Sequence, residues 1–235
     1  MQESNDYYPV ILSPKQTNAP VMPTSRTKSC RMGASEIIGL SHLLKLGLNE
    51  IRDDLCVSIE GHNYEPDFAY IDPEKGICID IEIDEPYTTG GNPTHYCLAD
   101  GTTSDTRRNI RFQNAGWYVI RFSEEQFFCH TDRCMKLVYD LLKAQGCIDE
   151  IPQQLARATA KLPAVRHWTY TQARNMHRRG YRRKYLGFNP LQYDIKGIMR
   201  CCWLLLPILW QSVIYSRMRQ SLYRQMQSVL HLGTK

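Results

Sequence analysis

The eight residues from Ile77 to Asp84 constrain the fold more tightly than any other stretch. Ile77, Ile79, Ile81 and Ile83 alternate with Cys78, Asp80, Glu82 and Asp84 without a break. A period of two sends successive side chains to opposite faces, so the stretch predicts a β-strand with an aliphatic face to bury. The other face carries three carboxylates spaced about 7 Å apart along the strand. Like charges stacked in this way repel, and nothing in sheet formation asks for them. A divalent cation turns that repulsion into binding, because carboxylate oxygens are the ligands Mg²⁺ and Ca²⁺ prefer. A hard-metal site is expected here.

The surrounding sequence predicts a small α/β domain over residues 33–147. Residues 1–32 read as a loosely ordered lead-in rich in Pro, Ser, Thr and Asn. Ser35 has the chemistry of an N-cap, and Ile37, Leu40, Leu43, Leu44 and Leu46 follow at helical spacing to Gly47. Strands are expected at Leu55–Ile59, Pro66–Ile71 and Trp117–Phe122, with the turn Asp72–Gly76 feeding the carboxylate strand. A long loop covers Glu85–Thr103. Ser104 or Asp105 can cap a helix ending near Gly116, and Thr131–Gln145 reads as a closing helix. Strands and helices in this order make a mixed sheet covered by helices.

Charge divides the chain. Residues 1–150 hold 14 Lys and Arg against 23 Asp and Glu, a net −9, whereas residues 151–235 hold 15 against one, a net +14. An acidic body with a basic extension suits a polyanionic partner, either nucleic acid or an anionic membrane surface. The nine cysteines are scattered without paired spacing, and Met1 to Pro23 lacks a basic segment followed by an apolar one. A reducing, cytoplasmic compartment is the expectation. Cys129-His130-x₃-Cys134 offers three zinc ligands but no evident fourth, so buried or free thiols are favoured there.

An ordered set of motifs adds a likeness. Pro66-Asp67-Phe68, Glu82-Ile83-Asp84, His95-Tyr96, Asp105-Thr106-Arg107-Arg108 and Gly116-Trp117-Tyr118-Val119-Ile120-Arg121-Phe122 follow one another along about half the chain. This series resembles the PD-(D/E)XK nuclease superfamily, and most closely its small branch related to very-short-patch-repair endonucleases. The resemblance implies a restriction-endonuclease-like mixed central sheet flanked by helices. It also implies Mg²⁺ (or Mn²⁺) as cofactor, DNA as partner and Mg²⁺-dependent phosphodiester hydrolysis as activity. On the same grounds Asp67 and Glu82 would be the principal metal ligands, and Glu36 would take a proton from metal-bound water or complete a second site. The family's usual lysine, two positions after the strand acid, is Asp84 here. Asp84 would then ligate metal or orient water, with His95 or Arg108 supplying the missing donor. The alternative is a catalytically inactive module of the same fold that binds nucleic acid or a protein partner.

Each residue also has a plainer reading. Glu36 suits the first turn of a helix through the helix dipole alone. Asp105 reads equally as an N-cap, His95 as a surface loop histidine, and Arg107-Arg108 as solvated helix charge. Trp117 and Phe122 are expected in the core.

Beyond residue 147 the sequence predicts a basic helical segment (148–190) and an apolar, amphipathic helix (191–235). A helix is expected from Thr171 to Leu186, with Arg174, Arg178 and Arg182 on one flank and Arg179, Arg183 and Lys184 beside it. Such a row matches a line of phosphates, or equally a solvated helix docked through Ala173, Met176 and Tyr181. No charge falls between Arg200 and Arg217. Those residues would reach only about 24 Å as a helix, short of a bilayer core. Packing on the body, a protein partner or peripheral membrane contact through 195–230 is expected of them. Oligomeric state leaves no mark in the sequence.

Overall fold

The computed structural model describes residues 6–15, 19–27, 43, 48 and 50–186. The chain divides into two units, Met1–Pro190 and Leu191–Lys235. The second lies outside the described residues, as do Glu36 and the apolar stretch 201–216.

The first unit is mixed α/β. Its strands are β1 (Tyr7–Tyr8), β2 (Val10–Leu12), β3 (Thr24–Thr27), β4 (Leu55–Ile59), β5 (His62–Tyr64), β6 (Phe68–Asp72), β7 (Ile77–Asp84), β8 (Tyr118–Ser123) and β9 (Val165–Arg166). Its helices are α1 (Thr106–Asn114), α2 (Glu124–Cys129), α3 (Thr131–Ala144), α4 (Gln153–Ala156), α5 (Tyr170–Arg178) and α6 (Arg183–Leu186). The central sheet runs β2-β8-β7-β6, with β7 and β8 parallel and the two outer pairs antiparallel. A three-stranded sheet, β3-β4-β5, and the pair β1-β9 complete the framework.

The alternation in β7 is realised as two faces. Ile79, Ile81 and Ile83 pack with Phe68, Ile120, Phe122 and the α3 residues Met135, Val138 and Leu142 in one core. Cys78 joins Ala69, Val119, Trp117 and Phe112 of α1 in a second core on the opposite face. Burial of this kind contributes roughly 1.5–3 kcal/mol per large apolar side chain. The strand is covered on both sides, so Asp80, Glu82 and Asp84 are buried. Buried carboxylates must be paired, which decides what the neighbouring elements have to supply.

Two expectations for the periphery are corrected. Residues 6–15 are not a loose lead-in: Val10, Ile11 and Leu12 pair with Arg121, Ile120 and Val119 as the edge strand of the central sheet. Strands of two or three residues carry no measurable periodicity, which hid them. The Thr171–Leu186 segment is not one helix either. A Thr169–Gln172 capping box starts α5 at Tyr170, and the chain leaves the helix at Gly180, whose φ of +61° suits glycine.

Among the described residues no helix is long and apolar enough to cross a membrane. The six described cysteines are all free thiols, and the Cys129-His130-Cys134 trio forms no ligand cluster.

Candidate metal centre

The parallel register sets Glu82 opposite Arg121, and Asp84 opposite Ser123, at the carboxyl ends of β7 and β8. Helix α1 lies over the same face and contributes Arg108 and the buried Asn109. The loop between β7 and α1 brings His95 back over the strand ends, and β6 begins beside them just after Asp67. Five carboxylates, two guanidiniums and one imidazole therefore meet in a small volume.

The network has two halves. In the first, Asp67 and Glu82 are tied by a hydrogen bond from the Asp67 backbone N–H to Glu82 Oε1 (3.2 Å), while Asp67 Oδ2 accepts from the Ile83 N–H at 2.7 Å. Glu82 Oε2 pairs with Arg108 Nη1, and Arg108 Nη2 reaches Asp80 Oδ1 at 3.2 Å. The Arg108 guanidinium also lies 4.8 Å from the Phe112 ring centroid, which fixes its plane. In the second half, Arg121 donates from Nε to Asp84 Oδ2 (2.9 Å) and from Nη2 to Asp84 Oδ1 (2.6 Å). Tyr8 donates its hydroxyl to Asp84 Oδ2 at 2.8 Å, and Arg121 Nη1 is oriented by Asn109 Oδ1 at 3.1 Å. His95 Nδ1 lies 2.9 Å from Asp105 Oδ2 and 3.4 Å from Asp84 Oδ1. Arg121 Nη2 bridges the halves, 3.8 Å from Glu82 Oε2.

The titration of these groups follows from burial set against pairing. Burial pushes the Asp80 carboxyl well above the usual carboxylate range despite the pull of Arg108, and the Glu82 charge adds to the rise. Burial opposes ionisation of Glu82 too, but Arg108 and Arg121 outweigh it and hold its pKa low. Asp105 is likewise lowered, against burial, by its bond to His95 and by Arg121. Burial disfavours the His95 imidazolium, yet Asp84 and Asp105 raise its pKa to about 9. Pairing thus favours the charged form of His95, while burial works against the charged form of Asp80.

Asp84, His95 and Asp105 offer ligand atoms within 4.8 Å of one another, a set able to hold a metal ion. The donor chemistry fits a divalent ion. Two carboxylates and an imidazole suit Mn²⁺, Zn²⁺ or Fe²⁺, and the carboxylates alone suit Mg²⁺. Asp80 Oδ2, buried and without a hydrogen-bond partner, adds an oxygen beside the first half.

Of the residues expected from sequence, Asp67, Glu82, Asp84, His95 and Arg108 come together; Glu36 lies outside the described residues. Asp105 spends its carboxylate on His95 and Arg121, and although it occupies the N-cap position of α1 it makes no side-chain capping bond. Arg121, Asn109 and Tyr8 were not read as site residues, and Asp80 was read only as one of the three carboxylates on the β7 face, without a named role. The alternation in β7 already placed Asp80 beside Glu82, and Arg121 stood in a quoted motif without an assigned role. Tyr8 left no signal.

Arg107, Arg174, Arg178, Arg179, Arg183 and Lys184 are exposed, as a phosphate-facing surface requires. Arg182 is a correction. It is buried, bonded through Nε and Nη2 to Glu124 at 2.6 and 2.5 Å and through Nη1 to the Tyr87 carbonyl at 2.9 Å. The break at Gly180 turns it inward, out of the arginine row.

No family model, no curated protein and no solved structure matches this chain.

Proposed function

We propose that the chain is a divalent-metal-dependent DNA endonuclease of the PD-(D/E)XK type. The observation that carries this reading is the meeting of Asp67, Glu82, Asp84, His95 and Asp105, remote in sequence, at the carboxyl ends of two parallel strands with Arg108 and Arg121 among them. In α/β sheets that end is where ligands bind. Asp67, Glu82 and Asp84 would hold the ion, with His95 and Asp105 completing the set. When bound, Mg²⁺ or Mn²⁺ polarises a phosphoryl oxygen and acidifies a water.

The remaining roles fall to the chain's own groups. Arg108 is the cation nearest Glu82 and stands in for the absent lysine as the stabiliser of charge on the phosphate. In the metal-free protein His95 holds a proton on Nδ1 toward Asp105, and it would release that proton on ligating the ion. The exposed row of Arg174, Arg178, Arg179, Arg183 and Lys184 suits the phosphate backbone, where contacts position the duplex and carry little sequence information.

Incubating the full chain with supercoiled plasmid and Mn²⁺ or Mg²⁺ tests the reading. Nicking and linearisation are expected, with loss in Asp67→Ala and Glu82→Ala and under chelation. Intact plasmid, linear duplex and single-stranded DNA with either metal would overturn it.

One observation favours a second reading, that of an inactive module binding nucleic acid or a protein partner. Both strand-end acids are already neutralised by arginine, and Asp84 replaces the lysine. This reading expects salt-dependent DNA binding indifferent to Asp67→Ala.

A further inference from the structure

We propose that Trp168 is the positioning residue that sets His95 in the cluster. His95 has φ of +49°, a left-handed backbone that costs a non-glycine residue free energy and persists only where the surroundings impose it. Trp168 imposes it from both sides. Its indole Nε1–H donates to the carbonyl of Thr94, immediately before His95, at 2.9 Å. Its own carbonyl accepts from the N–H of Cys97, two residues after, at 2.9 Å. A single residue thus staples the four-residue span that carries the imidazole.

The same indole reaches the other side of the cluster. Trp168 is buried and packs on the Tyr8 ring at 5.4 Å between centroids. Tyr8 in turn bonds Asp84 Oδ2. Asp84 and Asp105 are the carboxylates flanking His95 Nδ1. Trp168 therefore fixes the loop that bears the imidazole and, through Tyr8, the carboxylate it faces. Tyr170, two residues on, packs edge-on against Tyr96 at 5.2 Å and reinforces the same span. The segment beginning at β9 thus acts on the candidate centre through this staple, in addition to the exposed basic row it carries.

This inference deepens the reading of the metal centre and depends on it only for the metal measurement. Two variants test it. Trp168→Phe keeps an aromatic ring on Tyr8 and removes the indole donor. Cys97→Pro removes the donor on the far side of His95. Tyr185→Phe, which loses a part-buried bond to Glu124 at 2.8 Å, is the control for general loss of a hydrogen bond.

Nuclear magnetic resonance of the metal-free full chain, labelled at histidine, is expected to show a slowly exchanging His95 Nδ1–H in wild type and in Tyr185→Phe. That resonance is lost in both loop variants. Calorimetric titration with Mn²⁺ is expected to show affinity about 10-fold weaker or more in Trp168→Phe, in keeping with residues that orient a metal-ligating histidine, and little changed in Tyr185→Phe. A preserved Nδ1–H signal in Trp168→Phe or Cys97→Pro would overturn the proposal, as would equal losses in the control. If wild type takes up no Mn²⁺, the metal reading fails while the resonance still decides the positioning claim.

Discussion

Asp84 and Arg121 face each other from parallel strands through a two-pronged bond, Nε to Oδ2 at 2.9 Å and Nη2 to Oδ1 at 2.6 Å, with both side chains buried. The pair closes a charge that neither the sheet nor the core could carry alone, because desolvation is repaid only by such geometry. Its position also explains how the fold carries an aspartate buried at the end of a central strand.

Removing one partner should therefore cost more than removing both. Arg121→Met is expected to destabilise by about 3–5 kcal/mol, leaving Asp84 and Asp105 without their shared cation. The double variant Arg121→Met/Asp84→Asn should recover part of that loss. Urea denaturation of wild type, Arg121→Met, Asp84→Asn and the double variant measures the coupling. Additive losses would show the pair to be independent.

Asp80 and Glu82 sit on one face of one strand, but their pKa values are pushed in opposite directions, Asp80 up by burial and Glu82 down, against burial, by Arg108 and Arg121. Asp80→Asn keeps a neutral side chain able to accept from Arg108 Nη2, so a change under about 1 kcal/mol is expected. Glu82→Gln strands the Arg108 charge and should cost about 3 kcal/mol. The difference in urea midpoints checks it, and a costly Asp80→Asn would mean that Asp80 is ionised.

The metal-free protein should lose stability as the solution turns alkaline. His95 titrates at about 9 in the fold and at about 6.5 in an unfolded chain. The folded protein then holds a proton more tightly than the unfolded one. The stabilisation is complete below pH 6.5 or so, and fades as pH rises through about 9. It amounts to roughly 3 kcal/mol. Subtracting the stability profile of His95→Gln from that of wild type isolates this contribution; identical profiles would refute it.

Exposed and buried arginines of the basic segment should separate cleanly. The triple variant Arg174→Ala/Arg178→Ala/Arg179→Ala is expected to reduce the dependence of DNA affinity on log salt by up to about 3 units, without unfolding. Arg182→Ala should instead lower stability by about 3–5 kcal/mol, because Glu124 would be left buried and unpaired. Salt titration of duplex binding and urea denaturation read the two effects separately.

How much of this was legible beforehand depended on the range of the interaction. The isoleucine alternation of β7 foretold strand, burial and a shared carboxylate face, because period two is a local property. The hairpin turn at Asp72–Gly76, helix α1 and helix α3 were equally local. The short helix α2 was missed although Ser123 and Gln126 form a capping box whose Ser-x-x-Gln spacing is readable. Arg182 read as one more member of an arginine row, since its partner Glu124 is 58 residues away. Tyr8 bonds Asp84 across 76 residues from a two-residue strand, and nothing near it in sequence hints at that. Asp105 was legible as a cap or a site residue, and only the approach of His95 distinguished the two.

Binding of Mn²⁺ to the full chain, followed by calorimetry at neutral pH, tests most directly whether these carboxylates form a metal centre. Saturable uptake is expected in wild type, with affinity lost in both Asp84→Asn and Glu82→Gln. No uptake by wild type, or uptake unchanged in both variants, would contradict the account.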